Sequence, residues 1–347
     1  MEGDILRREP GGAGQKDWQE ERAVLQVLQS RSRFLVLSHM HPDGDCIGSM
    51  VAMSWLLRRL GKVVYLVNQD GVPPAYRFLP GSREILRARD FCAQGRGERA
   101  EVAVILDSGN LKRLGEALAC LSPEMTVVNI DHHEQNQVEG ARTVVNYVHP
   151  EASATGELVY NLIRAAGLEI DREAALALYT AIFSDTGGFR FQNTNPYILA
   201  LGAELARAGA DPPLVAEHVF DTKSLAVLKL LGRALSSLEV TAGGRVAWIA
   251  MPEEVLTSSG VSWEETEGFV NYARMVEGAQ VALLFREETG GKVRVSWRSR
   301  GSVDVGAMAR ELGGGGHVNA AGCEVPGPLN EGIQRVLRLV EERLAER

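Results

Sequence analysis

The stretch Arg33-Phe-Leu-Val-Leu-Ser-His-Met-His-Pro-Asp-Gly-Asp-Cys-Ile-Gly-Ser49 contains three different patterns in succession. Residues 33–38 are a short apolar run, which is typical of a strand buried in a parallel sheet. Residues 39–45 form a polar loop, and in residues 46–60 apolar side chains recur with helical periodicity. A strand, a loop and a helix in this order predict the beginning of an α/β domain.

The alternation of strands and helices continues along the chain and predicts an α/β fold with a mostly parallel sheet. Residues 281–286 and 292–297 then predict a hairpin in a second, smaller α/β domain. The other predicted strands are residues 62–68, 102–106 and 126–130, and the predicted helices include residues 17–29, 153–166 and 172–183. The resulting domain prediction is a flexible leader 1–16, a mostly parallel-sheet domain 17–205, a helical linker 206–238 and a C-terminal α/β domain 239–347.

Length and composition narrow the class of protein. The chain has 347 residues, 45% hydrophobic and 24% charged, which suits about two globular domains and excludes a wholly disordered chain. Its net charge of −8 argues against binding to long duplex nucleic acid or to a membrane surface. No apolar run reaches the roughly 18 residues of a membrane span.

The cysteines give no pattern of a structural or metal-binding kind. They are scattered, without a C-x-x-C pair, so we expect neither a disulfide framework nor a thiolate zinc site. This usage favours a reducing, cytoplasmic location. The four cysteines are Cys46, Cys92, Cys120 and Cys323.

Three predicted strands each end in a loop that carries histidine or aspartate. These loops begin at His39, at Asp107 and at Asp131, and the last one continues as His132-His133. Sites in open α/β sheets form beyond the carboxyl ends of the strands. The three loops therefore predict a single cleft.

The residue types in these loops suit a metal, although each loop has a simpler alternative. Imidazole with carboxylates favours Mn²⁺, Mg²⁺, Fe²⁺ or Zn²⁺. The alternatives are a polar turn for residues 39–45, a helix N-cap for Asp107, and a glycine-containing helix end for residues 184–191.

Taken in order, the motifs resemble the DHH phosphoesterase superfamily. The pattern is H-x-x-P-D-x-D-x-x-G-S from His39, an Asp after a strand, D-H-H, and then Asp185-Thr-Gly-Gly-Phe-Arg-Phe191. Ser296-Trp-Arg-Ser299 and the glycine run that ends at His317 resemble the associated DHHA1 domain. The resemblance covers about residues 20–345 and is nearest to the bifunctional oligoribonuclease and 3′-phosphoadenosine-5′-phosphate phosphatase group.

The resemblance implies two divalent metal ions, with Mn²⁺ favoured and Zn²⁺ or Fe²⁺ still allowed by residue type. It implies that Asp107 bridges the ions and that His133 is a catalytic acid; the alternative for His133 is support of His132. Asp131 is expected to orient a histidine. The implied ligands are His39, Asp43 and Asp107 for one ion, and Asp45, Asp107, His132 and Asp185 for the other.

The resemblance also implies a substrate-binding surface for short single-stranded RNA or DNA, or for small nucleotides. Glycines let backbone N–H groups approach a phosphate, Arg298 can fork onto its oxygens, and His317 can stack on a base. The sequence leaves the oligomeric state open, with a homodimer as one candidate. The implied substrate residues are Arg298, Ser299, Gly314, Gly315, Gly316 and His317, with Arg113 and Arg190.

Three positions depart from the usual pattern. His41 stands where a smaller polar residue is common, and either metal ligation or loop polarity would explain it. Trp297 is larger than the residue usual there and would affect the fit of the substrate. Residues 108–110 lack the second acid that often follows the strand-end aspartate.

The functional hypothesis is a two-metal phosphodiesterase that degrades short oligonucleotides and also acts on 3′-phosphoadenosine 5′-phosphate. One alternative is a phosphodiesterase for cyclic dinucleotides or their linear products. Another, from a different class, is a non-catalytic nucleotide-binding regulator. The complete set of expected metal ligands argues against the regulator.

Overall fold

The structure is a computed structural model that describes residues 14–93, 100–134, 136, 138 and 143–346. Residues 1–13, which are most of the predicted leader, lie outside the described residues. The chain divides into two compact units, Met1–Thr222 and Lys223–Arg347. No helix in the described part of the chain is both long and apolar enough to cross a membrane.

The first unit is built on six strands and seven α-helices within its described residues. The strands are β1 (Arg33–Ser38), β2 (Val63–Asn68), β3 (Ile85–Arg87), β4 (Val102–Leu106), β5 (Thr126–Asp131) and β6 (Thr143–Val148). The helices are α1 (Gly14–Ser30), α2 (Gly44–Arg59), α3 (Ala88–Ala93), α4 (Thr155–Ala165), α5 (Arg172–Asp185), α6 (Pro196–Arg207) and α7 (Pro212–Ala216).

All six strands of this sheet are parallel, in the order β3-β2-β1-β4-β5-β6. The central strands are apolar along their length because one buried cluster lies on each face of the sheet. The prediction of a mostly parallel α/β sheet is confirmed.

The register of the sheet aligns the three strand ends that the sequence singled out. Ser38 pairs with Leu106, and Leu106 pairs with Ile130. The next residue of each strand therefore lies in one row across the carboxyl edge, with neighbouring strands about 4.8 Å apart. That row consists of His39, Asp107 and Asp131.

Two glycines allow the helices over this edge to approach closely. A Cβ on Gly48 of α2 would lie 2.5 Å from the Ala177 carbonyl oxygen of α5. A Cβ on Gly156 of α4 would lie 2.5 Å from the Cβ of Ala181. This close packing brings the first turn of α2, the beginning of α4 and the end of α5 together.

The second unit contains a mixed sheet and five α-helices within its described residues. Its strands, in the order β11-β12-β10-β9-β8-β7, pair antiparallel except for β8 with β9. The strands are β7 (Glu239–Thr241), β8 (Val246–Met251), β9 (Val281–Glu288), β10 (Lys292–Ser299), β11 (Gly315–His317) and β12 (Ala320–Pro326). The helices are α8 (Leu225–Leu235), α9 (Glu253–Thr257), α10 (Val270–Arg274), α11 (Val305–Glu311) and α12 (Leu329–Ala345).

The predicted hairpin is β9 and β10, and the prediction of a second, smaller α/β region is confirmed. Two strands of this sheet, β11 and β12, were not predicted, and their composition explains this. β11 is Gly-Gly-His, and β12 begins Ala-Ala-Gly, so neither carries the β-branched or aromatic residues that indicate a strand. β12 is a strand because it pairs with β10, and β11 is a strand because it pairs with β12.

Candidate metal centre

His39 lies directly after β1, and the backbone orients its ring. Its Nδ1 donates to the Met40 carbonyl at 2.8 Å, because a carbonyl oxygen can only accept. Its Nε2 therefore faces the carboxylates of Asp107, 3.3 Å away, and Asp43, 4.0 Å away. A ring held in this way presents Nε2 as a metal ligand.

His132 lies directly after β5 and is oriented by the same device. Its Nδ1 donates to the Ala152 carbonyl at 3.2 Å. Its Nε2 faces three carboxylates: Asp185 at 3.2 Å, Asp107 at 3.5 Å and Asp45 at 3.7 Å. The side chain is 5% exposed, so the ring is shielded from bulk water.

Asp107 links the two histidines. Its Oδ2 faces His39 while its Oδ1 faces His132. Its φ of 55° is in the left-handed region, which is strained for a residue other than glycine. The Asp107 N–H donates to the Ile130 carbonyl at 3.0 Å, and the Thr155 hydroxyl donates to Oδ1 at 3.2 Å. These contacts hold the carboxylate between both rings.

Two residues beside the histidine–aspartate cluster cap helices. Asp43 caps α2, since its Oδ1 accepts from the Cys46 N–H at 3.0 Å, and it still faces the centre. Asn110 caps the first turn of the segment Leu111–Cys120, which is two 3₁₀ helices with a kink at Gly115, and it accepts from the Arg113 N–H at 3.3 Å. The cap role that the sequence left open for Asp107 thus belongs to Asn110.

Asp185 is the last residue of α5, and the glycines that follow it end the helix. Gly187 and Gly188 have φ of 60° and 71°, and the Gly188 N–H donates to the Phe183 carbonyl at 2.7 Å. The helix-end interpretation of this motif therefore coexists with a carboxylate that faces His132.

The N-terminus of α4 holds Asp45. Its Oδ1 accepts from the Ser49 hydroxyl and from the Gly156 N–H, each at 2.9 Å. Its Oδ2 accepts from the Thr155 N–H at 2.6 Å and also faces His132. Because Oδ1 already has two donors, Oδ2 is the oxygen with capacity left for a metal. The helix dipole favours the ionised carboxylate here.

The carboxylates of the cluster oppose one another's ionisation. Burial raises the pKa of Asp45 to about 7, and the charge of Asp107 adds to the effect. Burial also raises the pKa of Asp185 well above its usual range. Burial acts on Asp107 in the same direction, but hydrogen bonds with His132 and His39 outweigh it and hold its pKa well below normal. A cation in the cluster would remove this repulsion.

The donor set fits divalent metal ions. His39, Asp43 and Asp107 each offer a ligand atom within 4.8 Å of the others, and Asp45, Asp107 and His132 form a second such group. The two groups share Asp107. Imidazole nitrogens with carboxylate oxygens suit Mn²⁺, Mg²⁺, Fe²⁺ or Zn²⁺. These residues can therefore hold metal ions.

His133 is held in a chain of hydrogen bonds beside the cluster. A guanidinium has no acceptor, so Arg113 Nη1 donates to His133 Nε2 at 3.1 Å. Nδ1 of His133 then carries the hydrogen and donates to Asp131 Oδ1 at 2.7 Å. Asp131 also accepts from the His132 N–H at 2.8 Å and from Asn136 Nδ2 at 2.6 Å. Asp131 thus orients His133.

His41 and Arg190 form contacts outside the histidine–aspartate cluster. The N–H of His41 donates to Asp70 at 2.6 Å, and its Nδ1 lies 3.7 Å from the same carboxylate. Arg190 Nε donates to the Gly187 carbonyl at 2.5 Å, and its guanidinium lies 5.2 Å from the Phe220 ring centre. His41 therefore braces its loop, and Arg190 closes its own turn.

In the second unit, the Ser296–Ser299 motif alternates between the two faces of β10. The Ser296 hydroxyl accepts from Arg286 Nη2 at 2.6 Å. Trp297 is fully buried on the other face and donates to Cys323 Sγ at 3.2 Å. Arg298 is half-buried, and its Nη1 donates to the Trp297 carbonyl at 2.8 Å. Trp297 is therefore a core residue, and Arg298 lies on the opposite face.

Ser299 is 1% exposed, and its hydroxyl is used inside the unit. It donates to the Val303 carbonyl at 2.6 Å and accepts from Asn319 Nδ2 at 2.8 Å. The predicted substrate residue thus fastens the turn between β11 and β12 to the end of β10.

The glycine run combines packing positions with one open position. A Cβ on Gly314 would lie 2.2 Å from the Gly322 carbonyl oxygen. Gly316 has a φ of 139°, and its Cβ would lie 2.4 Å from the Ala320 carbonyl oxygen. A Cβ on Gly315 would meet no atom within 4 Å. Of these three positions, only Gly315 could carry a Cβ without a clash, while Gly316 is the one that is exposed.

Arg298 and His317 lie on one face of the sheet, on either side of Ala320. Ala320 pairs with Arg298 on β10 and with His317 on β11. Directly paired residues project to the same face, and two strand spacings place the two backbones roughly 10 Å apart. The side chain between them is only the methyl group of Ala320.

The sequence analysis did not single out Thr155 or Asn193. Thr155 holds both Asp45 and Asp107, as described above. Asn193 Nδ2 donates to the carbonyls of Ser153 at 2.9 Å and Asp185 at 3.1 Å, which joins the end of α5 to the beginning of α4. A helix N-terminus that could hold an anion was visible in the sequence at Thr155. Its partner, 110 residues away, was not.

A six-stranded parallel sheet with a histidine–aspartate cluster at its carboxyl edge, together with a second unit of mixed sheet, is the architecture of a two-domain protein of the DHH family. Residues 33–182 match the DHH family, N-terminal domain, and residues 246–346 match the DHHA1 domain. The chain belongs to the DHH family, and the resemblance seen in the sequence is confirmed.

Within the family, the proteins similar to this chain include several NrnA proteins. It is 35% identical over 330 residues to the bifunctional oligoribonuclease and PAP phosphatase NrnA of Thermus thermophilus, covering 94% of this chain and 95% of that one. NrnA of Bacillus subtilis is 26% identical over 308 residues, covering 87% and 92%. The structure of an exopolyphosphatase-related protein from Bacteroides fragilis matches with a TM-score of 0.84 at 29% identity, covering 94% and 96%.

Proposed function

We propose that the chain is a phosphodiesterase that hydrolyses short single-stranded oligonucleotides and also removes a phosphate from 3′-phosphoadenosine 5′-phosphate. The observation that carries the proposal is Asp107, whose two oxygens face two histidines that each present Nε2. The similarity to NrnA proteins over nearly the whole chain supports this substrate class.

In this proposal the cluster holds two divalent metal ions, most suitably Mn²⁺. When bound, two such ions would neutralise phosphoryl oxygens and make an attacking water more acidic. The carboxylate of Asp107 serves both positions, which is the arrangement that two-metal hydrolases need. The assigned ligands are His39, Asp43 and Asp107 for one ion, and Asp45, Asp107, His132 and Asp185 for the other.

His133 donates a proton to the oxygen of the leaving group. Its Nδ1–H is held by Asp131, so a proton at Nε2 would produce an imidazolium that this carboxylate stabilises. Arg113 occupies Nε2 at 3.1 Å. A substrate phosphate offers Arg113 a bidentate, charged partner in place of a single neutral nitrogen, so substrate would draw the guanidinium away. Nε2 is then available for proton transfer.

The second unit binds the nucleotide. Arg298 forks onto a phosphate, His317 stacks on a base, and the backbone of Gly315 approaches the phosphate. Ser299 and Gly314 support this surface from within, since the serine hydroxyl is used internally and Gly314 packs against β12. The exposed backbone of Gly316 can approach the phosphate beside that of Gly315. Arg190 holds the turn after α5 through its hydrogen bond to the Gly187 carbonyl.

The test is hydrolysis by the purified protein with Mn²⁺ across substrates of different length and linkage. We expect the dinucleotide to be cleaved fastest, longer single strands progressively more slowly, and duplex RNA not at all. 3′-Phosphoadenosine 5′-phosphate should release inorganic phosphate. Cyclic di-AMP turned over faster than the linear dinucleotide would support the cyclic-dinucleotide alternative. Tight nucleotide binding without turnover under every metal would support the regulator.

A further inference from the structure

Two cysteines that are distant in sequence lie together outside the metal centre. Cys92 is on α3, and Cys120 ends the Leu111–Cys120 segment. Both are free thiols, and their sulfurs are 2.7 Å apart. Cys92 is exposed, whereas Cys120 is 7% exposed. One thiol of the pair is thus open to solvent while its partner lies just beneath it.

The pairing is imposed by the packing around the cysteines. Ala88 and Phe91 of α3 are buried in the same apolar cluster as Leu114 and Ala117 of the Leu111–Cys120 segment. Phe91 is fully buried. Because these contacts fix the two segments side by side, the sulfurs meet without any bond between them. In the folded chain, a cross-link therefore adds little further loss of entropy, because the two cysteines are already side by side.

We propose that Cys92 and Cys120 are an oxidation site that forms a reversible intramolecular disulfide with a peroxide or a small-molecule disulfide as the oxidant. The pair does not have the C-x-x-C spacing of redox motifs, so the sequence alone gave no sign of it. Its chemistry is independent of the phosphoesterase reaction.

With a peroxide, the reaction proceeds in two balanced steps. The Cys92 thiolate attacks a peroxide oxygen, forming an S–O bond and breaking the O–O bond, and the departing oxygen takes a proton to become water or an alcohol. The Cys120 sulfur then attacks the Cys92 sulfur, forming the S–S bond, while the sulfenic oxygen leaves as water with the Cys120 proton. Two electrons pass from the two thiols to one peroxide.

The exposed cysteine is the thiol that reacts first. Burial and the neighbouring Cys92 sulfur raise the pKa of Cys120, which disfavours its thiolate. With a disulfide oxidant, Cys92 would form a mixed disulfide and release one thiol. Cys120 would then displace the second.

The cross-link would fasten a segment that reaches the proposed active site. Leu111–Cys120 carries Arg113, whose guanidinium contacts His133 and whose carbonyl accepts from the Met40 N–H at 2.7 Å. A disulfide at Cys120 would restrict opening of this segment from its far end. We therefore expect slower amide exchange in residues 111–120 after oxidation.

The experiment treats the full-length protein with hydrogen peroxide or oxidised glutathione, followed by peptide mapping without reductant. The wild type should yield a Cys92–Cys120 cross-linked peptide that dithiothreitol removes, with a rise in Tm of at least about 3 °C. Cys92→Ser, at an exposed position, should show neither change. Cys323→Ala, which keeps the pair, should behave like the wild type.

Two results would overturn the proposal. One is a sulfinic acid or a lasting glutathione adduct on Cys92 while Cys120 keeps a free thiol. Another is an equal rise in Tm in Cys92→Ser. Cys120→Ala provides the second variant: it should accumulate the glutathione adduct that the wild type resolves, and resolution without Cys120 would also contradict the proposal.

Discussion

The two units carry their chemistry on different parts of a sheet. In the first unit, His39 and Asp107 stand at strand ends, where several loops converge and burial is nearly complete. In the second unit, Arg298 and His317 project from a strand face and remain partly exposed on either side of Ala320. The first arrangement concentrates charge in a small volume, and the second spreads contacts over a surface.

This difference determines how each region depends on its residues. The buried carboxylates of the first unit repel one another, so each ligand matters to the balance of the whole cluster. On the strand face, neighbouring residues alternate between core and surface, so adjacent positions have unrelated roles. Trp297 and Arg298 are the clearest example, since one is a core residue and the other is half-buried on the opposite face of β10.

The largest effect should follow the loss of the shared carboxylate. Asp107→Asn removes the group that faces both histidines, and we expect kcat to fall by about 10³-fold or more, with weaker Mn²⁺ binding by calorimetry. Thermal stability in EDTA should also fall, because the ionised Asp107 carboxylate is stabilised by hydrogen bonds with His132 and His39 that outweigh the cost of its burial. Asp90→Asn, an exposed aspartate, is the matched control. Activity within tenfold of wild type would refute the assigned role.

The support of His133 should give the next largest effect. Asp131→Asn keeps the shape but offers the His133 Nδ1–H a poorer acceptor, so we expect kcat to fall roughly 10- to 100-fold with little change in KM. His133→Ala should cost at least as much, and the double variant should be no slower than His133→Ala alone. Additive losses in single-turnover assays would mean that Asp131 acts independently of His133.

Much of the first unit's site could be predicted because its residues directly follow strands that are recognisable from short stretches of sequence. The boundaries of β1 at Arg33–Ser38 match the sequence prediction, since an apolar run with a polar loop after it is unambiguous. Given parallel strands, the rule that sites form at carboxyl ends brings His39, Asp107 and Asp131 together. The register of the sheet bears out that alignment.

The remaining features depend on contacts that no local pattern contains. The hold of Thr155 on Asp45 joins residues 110 positions apart. β11 and β12 consist largely of glycine and alanine where they meet, so their pairing is tertiary. Ser299 matched a binding motif, but its position on the inner face of β10 gives its hydroxyl an internal partner. In each case packing, rather than residue type, decides the role.

The strand face offers a sharper test in two neighbouring residues. Arg298→Ala should raise KM for a dinucleotide about 10- to 100-fold, because it removes a charge-assisted, forked contact to phosphate, while leaving Tm nearly unchanged. Trp297→Phe should do the opposite: KM should stay within about twofold, while Tm falls because a smaller phenyl ring replaces the buried indole and the hydrogen bond to Cys323 is lost. If both variants changed KM alike, the two faces of β10 would not be functionally separate.

The smallest effects should separate Gly314, which directly precedes β11, from Gly315, which begins it. Gly314→Ala places a Cβ against the Gly322 backbone, and we expect a destabilisation of about 1–3 kcal/mol, measured by urea unfolding. Gly315→Ala meets open space, so its stability should change by less than about 0.5 kcal/mol. Its KM for a dinucleotide should nevertheless rise several-fold, because the added methyl occupies the path by which a phosphate reaches the backbone. An unchanged KM in Gly315→Ala would place the phosphate elsewhere on this surface.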